Sequence, residues 1–253
     1  MSSITIDTKG TNALVKQGTL SQTAATFLAT QPRDIEVPDL SGVYGDPVFS
    51  CFLIDESGSM NPYKQSVIDD QSDVIQALRG SAECKNGTLF ITQCLFSDSA
   101  RVLHPLTKLS PSGTDEVILF NSGDHYKPNG CTALYQSLFY LLQDMTANIA
   151  NALNSGLKCS FEIGVITDGK DTEGGIQPAE ISTVIQELQS HHIIRNSVIV
   201  GLTDPEFTIA MLDDLKSKLG FQTAISLSKA DPREIRRAFI HGSPLASAFL
   251  AKH

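Results

Sequence analysis

Most of the chain alternates between apolar runs of strand length and apolar stripes of helical spacing. Val48–Ile54 (VFSCFLI), Thr88–Phe96 (TLFITQCLF) and Ser160–Ile166 (SFEIGVI) are apolar almost throughout, as strands buried on both faces of a parallel sheet are. Ile193–Gly201 and Gln222–Leu227 read as two further strands. Helical stripes fall between them: Val67, Val74, Ile75 and Leu78 within Pro62–Arg79; Leu134 to Leu153; and Ile181, Val184, Ile185 and Leu188 after Pro178. Another helix is expected to open at Asp204-Pro205 and to bury Met211, Leu212, Leu215 and Leu219. Asp231, Pro232 and Glu234 make a capping-box start for a last one.

One connection breaks the alternation. Only Ser97–Ala100 separates the strand ending at Phe96 from RVLHPL, too short for a crossover, so that pair is expected to be antiparallel. Pro105 suits an edge strand, since it donates nothing to a ladder. The expected architecture is an α/β three-layer sandwich: a mostly parallel central sheet, one antiparallel edge strand and helices on both faces. Residues 1–46 lack a clean period, with a short helix expected somewhere in Ala13–Leu28; they read as an N-terminal arm before a domain over 47–253. Thr107–Gly130 fits no regular element well.

Ligands of open α/β sheets bind beyond the carboxyl ends of the strands, where strand order reverses. Asp55, Ser57 and Ser59 follow the first core strand, Thr132 precedes the long helix, and Asp168 follows the third strand. All five offer oxygen and none sulfur or imidazole, a donor set that suits Mg²⁺, with Mn²⁺ or Ca²⁺ as alternatives. Taken singly, each has a plainer reading: Asp-x-Ser-x-Ser and Thr132 as helix N-caps, Thr-Asp-Gly as a turn. Glu56 and Asp171 read as solvated side chains, Asp98 as a turn residue, and His191 and His192 as surface residues at a helix end. His125 and Tyr126, just ahead of Thr132, are candidates for rimming the site and touching a partner.

Composition narrows the function classes. The formal net charge of −9 and the absence of a Lys/Arg run argue against nucleic acid and anionic membranes. No signal peptide or membrane-length apolar stretch is visible. Five cysteines without CxxC spacing fit reduced, small hydrophobes in a cytoplasmic setting better than a disulfide framework or a zinc site.

DESGSM, Thr132 within Gly-x-Thr-Ala-Leu, and ITDG, together with FSDSARV, resemble the von Willebrand factor A family and its metal-ion-dependent adhesion site. The likeness runs from Val48 to about Phe239. It implies a Rossmann-like fold in which Asp55, Ser57, Ser59, Thr132 and Asp168 hold the metal, and a partner protein's Asp or Glu fills an open position. It also implies a binding module rather than an enzyme, as adaptor or subunit of an intracellular machine such as an AAA+ ATPase system. Two other roles remain: a structural component anchored by residues 1–46, and a metal-dependent phosphatase or hydrolase. The enzyme reading lacks a second acid at Ser57, a phosphate loop and a Gly-x-Ser-x-Gly elbow.

Overall fold

The computed structural model describes residues 2–120, 125–169, 171–172 and 174–228. The elements are β1 (Ser2–Ile6), α1 (Thr8–Lys16), α2 (Gln22–Leu28), β2 (Arg33–Val37), β3 (Val48–Asp55), a 3₁₀ turn (Gly58–Tyr63), α3 (Lys64–Arg79) and α4 (Ala82–Lys85). They continue with β4 (Leu89–Phe96), β5 (Ala100–Lys108), α5 (Leu134–Asn154), β6 (Ser160–Thr167), α6 (Pro178–Ser190), β7 (Ile194–Thr203), α7 (Ile209–Leu219) and β8 (Thr223–Ser228).

The main sheet has the order β5-β4-β3-β6-β7-β8. Its pairs are parallel except β4–β5, which is antiparallel and puts β5 on the edge. Every residue of β3, β4 and β6 is buried, which is why these segments carry no polar alternate face. In β3, Phe49, Cys51 and Leu53 pack with α5, α6 and α7, while Val48, Phe52 and Ile54 pack with α3. The chain leaves β3 toward β4 on one side and returns to β6 on the other. The reversal of strand order therefore lies at the carboxyl ends of β3 and β6.

Residues 2–37 are not extended. β1 pairs antiparallel with β2, the two short helices lie between them, and the unit rests on α5 and α6. Ile6, Leu14, Phe27, Leu28, Ile35 and Val37 join the same core cluster as α5. Phe27 meets Phe139 edge-on at 4.9 Å, and Gln143, in the middle of α5, donates to the carbonyls of Leu28 and Gln31 at 2.8 and 2.7 Å. The period escaped a sequence reading because helices of 9 and 7 residues bury only two and four side chains each.

Three expectations change. The helix expected at Asp204-Pro205 begins at Ile209, because Asp204 Oδ1 accepts from the amides of Glu206 and Phe207 at 2.8 Å each, closing a turn. Thr208 then caps α7. The helix expected from Pro62 opens as a 3₁₀ turn and becomes α-helical at Lys64. Thr107 and Lys108 extend β5, and 109–120 and 125–130 carry no regular element yet bury Leu109, Val117, Phe120 and Tyr126 against α3. The capping box at Asp231, Pro232 and Glu234 lies outside the described residues.

Leu28, fully buried under α5, tests how far the N-terminal unit is part of the fold. Leu28→Ala is expected to cost about 2–5 kcal/mol in urea unfolding monitored by circular dichroism. A change below about 0.5 kcal/mol, as at a solvated surface position, would mean that the unit is only tethered.

Candidate metal centre

Pairing of β3 with β6 sets Ile54 opposite Ile166, so Asp55 and Asp168 leave neighbouring strand ends within one residue of the same level. Both are buried, at 0% and 3% exposure. Asp55 is held at both oxygens: Oδ1 accepts from the Ser57 amide at 2.8 Å and Oδ2 from the Thr167 hydroxyl at 2.6 Å. Ser59 Oγ donates to Asp168 Oδ1 at 2.7 Å and lies 3.1 Å from Ser57 Oγ. The two serines thus link the loop after β3 to the loop after β6.

The capping readings do not hold. Ser57 occupies the N-cap of the 3₁₀ turn without a side-chain capping bond, and Ser59 is spent on Asp168. The N-cap of α5 is Ala133, again without a side-chain bond. Asp171 supplies the bond from outside, its Oδ1 accepting from the Tyr135 amide at 2.9 Å and its Oδ2 from the Gly174 amide at 3.1 Å. Asp171 is therefore not simply solvated. A carboxylate there also complements the positive end of the helix. Thr132 is 5% exposed, and a Cβ on Gly169 would stand 3.9 Å from its Oγ1. The Thr132 hydroxyl thus faces the loop that carries Asp168.

Backbone hydrogen bonds sew the loops together. Gly58 donates to the Gly130 carbonyl at 3.0 Å and Asn129 to that of Glu56 at 2.8 Å. Ala133 donates to the Ser97 carbonyl at 2.6 Å, and Thr172 to that of Thr132 at 2.9 Å. The Thr132 amide donates to Thr172 Oγ1 at 2.9 Å. Gly130 has φ +79°, and a Cβ there would fall 2.5 Å from the Asp98 carboxylate. Asp98, expected as a turn residue, accepts from the Cys131 amide at 2.5 Å and so fixes this crossing.

Two further expectations are corrected. Tyr126 cannot rim the site: it is fully buried, stacks on Phe120 at 5.8 Å and donates its hydroxyl to the Asp55 carbonyl at 2.7 Å. It braces the loop from beneath, while His125 is half-buried beside it. Glu56 is not solvated: it is 6% exposed, with both oxygens within 3.0 Å of Arg101 Nη2, and Arg101 also donates to the His125 carbonyl at 2.9 Å. His191 and His192 are exposed after α6. The roles of Thr167, Thr172 and Arg101 were missed; the one clue in the sequence was Thr167 standing at the strand end before Asp168.

Burial pushes the Asp55 carboxyl up to about 6, and the charge of Asp168 adds to it, against hydrogen bonds from Ser57 and Thr167. A divalent cation fits this donor set: two buried carboxylates and three hydroxyls, all hard oxygen, converging from three loops. Among the described residues no group of three or more His, Cys, Asp or Glu side chains could hold a metal. Any cation here would therefore depend on the hydroxyls.

Comparison with solved structures decides the fold. A von Willebrand factor type A protein from Catenulispora acidiphila superposes with a TM-score of 0.51 at 18% identity, over 77% of this chain and 41% of that one. The chain has a von Willebrand factor A fold. The von Willebrand factor domain of the type V pili tip protein Mfa5 from Porphyromonas gingivalis matches at 0.51 and 11% identity, over 83% of this chain and 97% of that one. The pilus adhesin SpaC from Lactobacillus rhamnosus matches at 0.54 and 12% identity, over 82% and 30%. The chain thus spans less than half of the first and third of these proteins. No family model and no curated protein matches the sequence.

Tyr126→Phe removes the hydroxyl proton given to the buried Asp55 carbonyl. It is expected to cost about 1–3 kcal/mol in chemical denaturation, and His125→Ala to cost far less. Equal costs would deny the brace. Gly130→Ala, strained in φ and driven into Asp98, is expected to destabilise by more than about 1 kcal/mol; a neutral result would mean that the loop crossing relaxes freely.

Proposed function

We propose that the domain is a divalent-metal-dependent protein-interaction module. Asp55, Ser57, Ser59, Thr132 and Asp168 would hold Mg²⁺, or Mn²⁺ or Ca²⁺, and an Asp or Glu of a partner protein would complete the coordination. The observation that carries the reading is the Ser57–Ser59–Asp168 contact, which joins two hydroxyls and a carboxylate from two loops, with the Thr132 hydroxyl facing Gly169 next to Asp168. A bound cation would supply a Lewis-acidic position that lets two acidic partners meet.

The residues divide the work. Thr167 and the Ser57 amide fix the Asp55 carboxylate, so its orientation needs no partner. Ser57 and Ser59 hold the first loop against Asp168. Asp171 and Thr172 anchor the start of α5, which fixes Thr132. The N-terminal end of the 21-residue α5 lies just behind Thr132, and its dipole favours an incoming carboxylate. Two structural neighbours, a pilus adhesin and a pilus tip protein, lend support to a role in binding. Ser57 Oγ lies beside another hydroxyl rather than an imidazole, which disfavours a hydrolase that uses it as nucleophile. Work as an adaptor or subunit of an intracellular machine, an AAA+ ATPase system among them, is the setting the resemblance implies.

Titration calorimetry with Mn²⁺ is expected to find one saturable site, weakened on the order of tenfold or more in Asp55→Ala and Thr132→Ala with unchanged circular dichroism. Partner proteins captured in Mg²⁺ are then expected to elute in EDTA and not to bind Thr132→Ala. Metal binding that is absent, or indifferent to both substitutions, would overturn the site. Metal binding with partners retained through EDTA would leave the cation a structural role and make the N-terminal unit the docking element.

A further inference from the structure

A second site lies at the seam between the N-terminal unit and the main sheet. A cavity of about 270 Å³ opens there, with Arg33–Glu36 of β2 along one wall and Val102–Leu106 of β5 along the other. Asp144 and Asn148, one turn apart on α5, also line it, and no residue of the candidate metal centre does. Among the described residues β2 pairs as a strand only with β1 and β5 only with β4, so no ladder closes the seam. The volume falls below the ~300–1,000 Å³ of pockets for drug-sized ligands, so the occupant is one small group.

The chemistry of the lining is one-sided. Asn148 is 1% exposed; its Nδ2 donates to the Asp144 carbonyl at 2.7 Å, while its Oδ1 has no hydrogen-bond donor among the described residues. A buried acceptor left unmet costs on the order of 1–3 kcal/mol, and native interiors hold few of them. The lining donors are already committed. The Thr92 hydroxyl donates to the His104 carbonyl at 2.9 Å, and His104 Nδ1 sits 3.0 Å from the Pro105 carbonyl. Burial also holds the His104 imidazole below its usual pKa. Asp34 and Glu36 line the cavity from exposed positions, Asp34 already accepting from the Thr5 hydroxyl, and Asp144 is the carboxylate that pairs with the lining guanidinium, Arg33. Arg33 stands over the Tyr140 ring at 4.7 Å, donates at 3.4 Å to the Tyr140 carbonyl and Gln143 Oε1, and reaches Asp144 in an ion pair at a long 3.4 Å. What the cavity leaves unmet is the acceptor of Asn148, one turn from a carboxylate that is only loosely paired.

We propose that this cavity binds an organic ammonium or guanidinium group, whose N–H donors reach Asn148 Oδ1 and the Asp144 carboxylate and clasp the N-terminal unit to the edge strand. The group comes either from a free small amine or from a Lys or Arg side chain of a partner protein. The lining is the same for both sources. Burial has pushed the Asp144 carboxyl up to about 6; a cation beside it favours the charged form and lowers it again.

The test is an ¹⁵N NMR titration of the full chain with n-butylammonium chloride, with the peptide acetyl-Ala-Lys-Ala-amide, and with 1-butanol as the neutral counterpart. Both cations are expected to give saturable shifts of the Asn148 side-chain amide and a lower Asp144 pKa, and butanol none. Asp144→Asn is expected to weaken binding on the order of tenfold. Val102→Trp fills the mouth from a half-exposed position outside the core and is expected to abolish binding in a chain that still folds. Tighter binding of the peptide assigns the site to a partner's side chain, and tighter binding of the free amine to a small molecule. Shifts that butanol or sodium chloride reproduces, or that survive Val102→Trp, overturn the proposal.

Discussion

Two carboxylates forced together at the carboxyl ends of β3 and β6 are the constraint around which the site is built. The parallel register leaves neither Asp55 nor Asp168 an escape to water, and burying two like charges side by side is costly unless each finds donors. Much of the surrounding structure supplies them. Ser57 and Thr167 serve Asp55, and Ser59 serves Asp168. Glu56, the next acid along, is drawn away to Arg101. The donors at Asp55 do not cancel the desolvation, since its carboxyl stays raised at about 6. Burial thus outweighs the donors at Asp55, and the carboxyl is held in a fixed geometry by the Ser57 amide and the Thr167 hydroxyl.

Rigidity reaches this centre through the stretch after β5, which has no regular elements. Arg79, near the end of α3, forms a buried ion pair with Asp115 and donates to the Ser110 carbonyl at 2.5 Å. Gln71 and Gln93 both donate to the Ile118 carbonyl at 3.0 Å, and the Phe120 amide donates back to Gln71 Oε1 at 3.0 Å. Phe120 then stacks on Tyr126, which holds the Asp55 carbonyl. Side chains of α3 and β4 stand in for the ladder that this stretch lacks. Such buried polar networks fix one arrangement when all members are met, and are costly when one is removed.

The order of strands and helices was legible because burial on both faces leaves a mark in each strand and one-sided burial leaves a stripe in each helix. The residues of the candidate site could be placed together from the sequence because they fall at strand ends, which the same pattern locates. What stayed hidden depends on contacts distant in sequence. Tyr126 looked like a loop aromatic until the fold placed it under Asp55, 71 positions away in sequence. Asp171 looked solvated because the helix it caps lies 36 positions upstream. The N-terminal unit was obscured differently: its helices are too short to show a period, and their partner surface is a helix more than a hundred residues on.

That N-terminal unit also changes what the domain can present to others. With residues 2–37 seated on α5 and α6, the face of the sheet that those helices cover is closed. The carboxyl edge of the sheet stays open around Ser59 and Gly130, and the seam beside β5 stays incomplete. Long α5 connects the two, beginning behind Thr132 and carrying Asp144 and Asn148 one turn apart nearer its middle. Its first turn is fixed by Asp171 and its middle by Gln143 on the carbonyls of Leu28 and Gln31. A shift of this helix along its axis would strain both anchors at once. Energetic coupling between the candidate metal centre and the seam, in either direction, would therefore have a packed, continuous element to travel through, and its sign would follow from whether each ligand favours the same position of α5.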